Sequence, residues 1–313
     1  MDPYSLATSE MDLTTEECFV NLQKFLNGEK RGLRLFYDDS ALQTLAPAAQ
    51  KMGLALLADG WGKEIAMELS LLTLYDIVIL IDDSDSMESE QNGSRIYSLN
   101  TVVEGMTSIY DLANPTGIRS IEFVNRKTGL LHVRSKDWRK EFLGVKYDGL
   151  SRIGTALKLK ILDQYVWRNK MTKPLLVIII TDGDAEGERT GLLEDVLCGC
   201  LYRSWSDPGR GTQAVAFQFL RVGDSLLASE LLERLDNSAK VGDNVDCCHL
   251  DRYHLRSLSD ADHKRILLSK ILLGAILHDW DEIDEEERVD ISSENRRDLD
   301  NEDSESEEDL EDD

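Results

Sequence analysis

The chain has 313 residues, is 42% hydrophobic and carries a formal net charge of -25. That length admits one large domain or two small ones, and the apolar content suffices for a sizeable core. Residues 281–313 hold nineteen Asp and Glu against three Arg, a net of -16, which leaves -9 for residues 1–280. A moderately acidic body with a strongly acidic tail has no large basic surface, which excludes most direct binding to nucleic acid or anionic membrane.

The longest apolar runs, Ile77–Ile81 and Leu175–Ile180, fall far short of the roughly 20 residues that span a bilayer. The opening Met1-Asp2-Pro3-Tyr4 has neither the basic nor the apolar region of a secretory signal, so none is expected. Five cysteines, an odd and small number, fit a reducing compartment. The cytoplasm or nucleus is therefore the expected location.

In chain order, residues 1–12 are expected to be disordered. Thr14 or Thr15 with Glu17 marks a helix start, and Phe19, Leu22, Phe25 and Leu26 give that helix an apolar face. Further helices are expected over about Ser40–Met52 and from Gly62 to about Thr73, completing a helical segment over 1–73. From Asp76 the pattern changes. Ile77–Ile81 and Leu175–Ile180 are continuous apolar runs rich in β-branched residues, as strands buried on both faces of a parallel sheet are, and Ala214–Leu220 is a weaker run of the same kind. Weaker strands at Ile118–Val124 and Leu130–Val133 flank a turn at Lys127-Thr128-Gly129. Helical periodicity falls between the strands, over about Arg95–Leu112, Arg152–Trp167, Gly191–Tyr202 and Leu226–Leu235, and again over Asp262–Leu277. This alternation predicts an α/β fold, a doubly wound and mostly parallel sheet flanked by helices, over 74–279. Residues 280–313 are too acidic and too poor in apolar groups to fold, and are expected to form a disordered tail.

Two acidic turns stand out. Asp82-Asp83-Ser84-Asp85-Ser86-Met87 follows the first buried strand, and Thr181-Asp182-Gly183-Asp184 follows the strand Leu175–Ile180. Ligands of α/β sheets bind beyond the carboxyl ends of the strands. Carboxylate and hydroxyl oxygens gathered there are hard donors, suited to Mg²⁺, Mn²⁺ or Ca²⁺.

Asp82-x-Ser84-x-Ser86 after "DIVILI", with "IIITDG" after a second buried strand, resembles the metal-ion-dependent adhesion site of von Willebrand factor type A domains. The loop Asp148–Leu157 resembles that family's threonine loop, with Ser151 at the place of the threonine and Thr155 one helical turn later. The resemblance covers Leu74–Asp279. Leu272-Leu273-Gly274-Ala275-Ile276 before an acidic end resembles a group of fungal proteins with one such domain. The resemblance implies a Rossmann-like fold, a single divalent cation held by Asp82, Ser84, Ser86, Ser151 and Asp182, and no enzymatic activity. It further implies a partner protein whose Asp or Glu completes the ion's coordination. The chain departs from the family at Asp85, where glycine is usual, and at Ser151, which keeps the hydroxyl.

Other readings have less behind them. Asp83-Ser84-Asp85 also fits the nucleophile and general acid of a Mg²⁺-dependent phosphatase of the haloacid dehalogenase type. That family also needs a Ser or Thr after the second strand, where Asn125 stands, and a lysine before its last acidic motif, for which Lys173 and Gly183-Asp184-x-Glu186 are the counterparts. Cys198, Cys200, Cys247, Cys248 and His249 lack the paired spacing of a zinc site. A metal-free scaffold acting through its tail would use Ser304 and Ser306, each followed by acid three residues on, and would attract basic proteins.

Overall fold

The computed structural model of the chain describes residues 12–89, 94–142, 144–168, 171–183, 186–223, 225–250 and 261–281. The expected disorder of residues 1–12 thus falls almost wholly outside the described residues, as do residues 282–313 of the expected tail.

Helix α1 (Thr15–Asn27) begins at Thr14. The Thr14 hydroxyl accepts from Glu17 N at 3.1 Å, and the Glu17 carboxylate accepts from Thr14 N at 2.7 Å. Two of the amide groups left open at a helix start are satisfied in this reciprocal way. Leu22, Phe25 and Leu26 are buried, with Phe19 at the margin of the same face. Helix α2 (Asp39–Ala58) starts at Asp38, which caps Ala41 N, and runs past the expected end at Met52. Gly53, which suggests a stop, is a buried contact point instead, with the Leu13 side chain seated against it. Helix α3 (Lys63–Leu69) and a 3₁₀ turn over Ser70–Leu74 lead into the sheet.

The sheet contains β1 (Asp76–Ile81), β2 (Ile118–Phe123), β3 (Leu130–Val133), β4 (Leu175–Thr181), β5 (Val215–Arg221) and β6 (Val245–His249), in the order β3-β2-β1-β4-β5-β6. Only the β2–β3 pair is antiparallel, the hairpin expected around Thr128. Helix α4 (Ser94–Ala113) connects β1 to β2. Helix α5 (Ile153–Ala156), continued with π-type hydrogen bonding over Leu157–Arg168, precedes β4. Helices α6 (Leu192–Trp205) and α7 (Leu226–Asp236) precede β5 and β6, and α8 (Ala261–Leu273) and a short helical turn over His278–Asp281 follow β6.

Successive residues of β1 point to opposite faces. Ile77, Ile79 and Ile81 pack with the N-terminal helices, α4 and α8, through residues such as Leu22, Leu42, Val103 and Leu268. Val78 and Leu80 pack with α5, α6 and α7, through Leu157, Leu197 and Leu232. The N-terminal helices therefore share the core of one sheet face. Trp280, expected to begin the tail, is buried at 1% exposure. Its indole donates to Glu68 at 2.7 Å, and its carbonyl accepts from the Lys270 ammonium at 2.6 Å. An aromatic side chain with a satisfied N–H extends the folded body to that point. Among the described residues, no helix is long and apolar enough to cross a membrane.

Strand β6 is absent from the sequence reading because Asp246 interrupts its apolar pattern. That carboxylate is buried against the Lys270 ammonium at 2.9 Å and the Gln218 amide at 2.6 Å. A buried charge is tolerable only with such partners, and these come from β5 and α8.

Candidate functional site

Strand β1 is central, with β2 on one side and β4 on the other. The chain leaves β1 towards β2 and later crosses back to β4. This reversal opens a crevice beyond the carboxyl ends of β1 and β4. Both acidic turns lie there. Ile81 pairs with Ile180 in register, so Asp82 and Thr181 emerge side by side. Thr181 Oγ1 donates to Asp82 Oδ2 at 2.9 Å and accepts from Gly183 N at the same distance. Gly183 has φ of +95°, and a Cβ there would come within 2.1 Å of the Ala228 Cβ, so only glycine fits this turn.

Asp82 is fully buried, and Asp182 is buried at 2% exposure. Asp82 Oδ1 accepts from Ser84 N at 3.0 Å, which folds the loop back on the strand end. Burial raises the Asp82 carboxyl above the ordinary carboxylate range, and hydrogen bonds from Ser84, Thr181 and Ser151 oppose that rise. Ser84 Oγ lies 3.1 Å from Ser86 Oγ, and Ser151 Oγ donates to Ser84 Oγ at 3.0 Å. Three hydroxyls from two separate loops thus touch in sequence. They line a cavity of about 270 Å³, together with Asp85, Arg95, Asp182 and Glu186.

Ser151 is delivered by a loop held at both ends. Asp148 N donates to the Asp83 carbonyl at 2.8 Å, and Asp85 N to the Gly149 carbonyl at 3.3 Å. At the other end the Glu188 carboxylate accepts from Gly154 N and Thr155 N, both at 2.9 Å, capping the first turn of α5. Thr155, the alternative to Ser151, has its amide in that cap and is not among the residues lining the cavity.

The remaining carboxylates of the DDSDS turn divide. Asp83 is 1% exposed and accepts from Asn125 N at 2.6 Å and Arg126 N at 3.0 Å. It ties the end of β1 to the segment after β2, and faces a separate depression lined by Lys146 and Asp148. Asp85 is exposed at the rim of the 270 Å³ cavity. Asp184 lies outside the described residues.

Of the five residues expected to surround a cation, Ser84, Ser86, Ser151 and Asp182 line the cavity, whereas Asp82 is fully buried beside it, bonded to Ser84 N and Thr181. The donor set is one of hard oxygens and fits a divalent cation such as Mg²⁺. One feature of the site was invisible in the sequence. Arg95, near the start of α4, lies at 2% exposure with Nη1 2.8 Å from Asp182 Oδ2 and 3.3 Å from the Ser86 carbonyl. It packs on Gly223, where a Cβ would come within 2.5 Å of Arg95 Nε. Thr181 and Glu188 were likewise given no role by sequence. Thr181 was legible as part of the TDG turn, whereas nothing in the spacing marks Arg95 or Glu188.

Among the described residues, no three of His, Cys, Asp and Glu gather as a metal-binding group. Cys198, Cys200, Cys247, Cys248 and His249 form no such group. Burial pushes the Cys200 thiol up to about 12, which makes it a core group and not a reactive one. No family model matches the chain, and no curated protein compared with it is similar.

Proposed function

We propose that the chain is a non-enzymatic binding module of the von Willebrand factor type A kind, which takes one divalent cation, Mg²⁺ or its relatives Mn²⁺ and Ca²⁺, and through it an Asp or Glu of a partner protein. The observation that carries this reading is the contact of Ser151, Ser84 and Ser86 at 3.0 and 3.1 Å, on the wall of a cavity beyond the ends of β1 and β4. Three neutral oxygens with Asp82 behind them can replace part of the water around a hard cation, and the open side of the cavity leaves room for a further ligand. The cation would supply the attraction for an anionic group that this acidic chain otherwise repels. In this reading Ser84, Ser86 and Ser151 contact the ion, and Asp82 and Asp182 anchor it with their negative charge.

The phosphatase reading has less support. It requires Asp83 as a nucleophile, yet the Asp83 oxygens accept two backbone N–H groups, and Asp83 and Asp85 border different depressions. Calorimetry with Mn²⁺ tests the proposal. One site is expected in the wild type, weakened at least tenfold in Asp82→Ala. Equal affinity in the two proteins would remove the assignment.

A further inference from the structure

The arginine at the cavity wall bears directly on how this site would load its ion. The Arg95 guanidinium, 2.8 Å from the Asp182 carboxylate, forms a buried ion pair with it, at 2% and 3% side-chain exposure. Such a pair neutralises Asp182 without any metal, and so relieves the repulsion between Asp182 and Asp82. It also places a positive charge on the wall of the cavity that a divalent ion would enter. Like charges brought together in one small cavity repel more strongly than they would in bulk water.

Resting on the cation-binding reading above, we propose that Arg95 is a tethered competitor of the divalent ion for Asp182. In the ion-free chain the guanidinium holds Asp182 and offsets its buried negative charge. An ion that enters the cavity takes over Asp182, and Arg95 gives up its hydrogen bond to that carboxylate. The arginine thereby sets the ion concentration at which the site loads. Its packing on Gly223 and its contact with the Ser86 carbonyl fix the competing position, since Ser86 belongs to the same loop that offers the ion its hydroxyls.

The test is Mg²⁺ calorimetry on the full chain with wild type, Arg95→Gln and Arg95→Lys. Arg95→Gln keeps an N–H for Asp182 but removes the charge, so Mg²⁺ should bind about tenfold tighter. Arg95→Lys keeps the charge and should stay near the wild type. A second readout needs no variant: the Arg95 Nε–H resonance of the wild type should shift as Mg²⁺ is added, with the same midpoint as the calorimetric curve. Unchanged or weaker binding in Arg95→Gln, or an Arg95 resonance that does not move while Mg²⁺ binds, overturns the competitor role alone. Absence of Mg²⁺ binding in all three proteins overturns the cation site and the competitor role together.

Discussion

Ser84→Ala separates the structural from the ion-binding role of the hydroxyl cluster. Ser84 is 2% exposed, and its Oγ is the middle member of the Ser151–Ser84–Ser86 contact. Removing it leaves two hydroxyls to be satisfied. Ser86 is half-buried and borders the cavity, so water can replace its lost partner. Ser151 is 3% exposed and loses the oxygen to which its hydroxyl donates. At most one buried bond goes unmade, a cost of about 1–2 kcal/mol. For a body of this size that lowers the melting temperature by roughly 2–8 °C. Loss of a direct ligand, in contrast, should weaken Mn²⁺ binding at least tenfold, or about 1.4 kcal/mol. Thermal melts in chelator and equilibrium dialysis with Mn²⁺ read the two effects separately. A variant that melts lower but binds Mn²⁺ as well as the wild type would show that the three hydroxyls only hold the loops together.

Four further outcomes follow from the fold. Gly274→Ala would put a Cβ 1.9 Å from Asp246 Oδ2, inside a buried polar network, and should cost about 1–3 kcal/mol in urea unfolding. Lys270→Met leaves Asp246 buried without its cation and should cost about 3–5 kcal/mol in the same assay, with Asp246→Asn recovering part of the loss in that background. The Asp236 carboxyl is raised to about 6, by burial first and by Asp246 second. The folded chain therefore holds this proton more tightly than the unfolded one, so the stabilisation is complete below about pH 4 and disappears as pH rises through 6. Melts across that range should slope downward in the wild type and less so in Asp236→Asn. Glu188→Gln weakens the cap over Gly154 N and Thr155 N, and should broaden the amide resonances of 149–155 while sparing those of β1.

The fold was legible where burial is uniform. Ile77–Ile81 and Leu175–Ile180 read as strands because every residue in them is apolar, and both are fully enclosed by helices. β6 was not legible, because Asp246 depends on Lys270 in α8, a partner that no local pattern indicates. Trp280 was assigned to the tail by the acidic composition around it, whereas its burial depends on Glu68 and on the N-terminal helices. The same distinction applies to the crevice. Asp82, Ser84, Ser86 and Asp182 follow directly from strand ends, so sequence placed them. Arg95 and Glu188 reach the site across the fold from the start of α4 and from the segment before α6, and only the folded arrangement brings them there.

Amide NMR of the wild-type chain during a Mg²⁺ titration tests the cation site most directly, because it reports position as well as binding. The resonances of Ser84, Ser86, Ser151 and Asp182 should shift together and saturate at one equivalent of ion, with little change at residues lining the depression beside Asp83. Shifts confined to the acidic residues 281–313, or a spectrum that Mg²⁺ leaves unchanged, would contradict a cation site between β1 and β4.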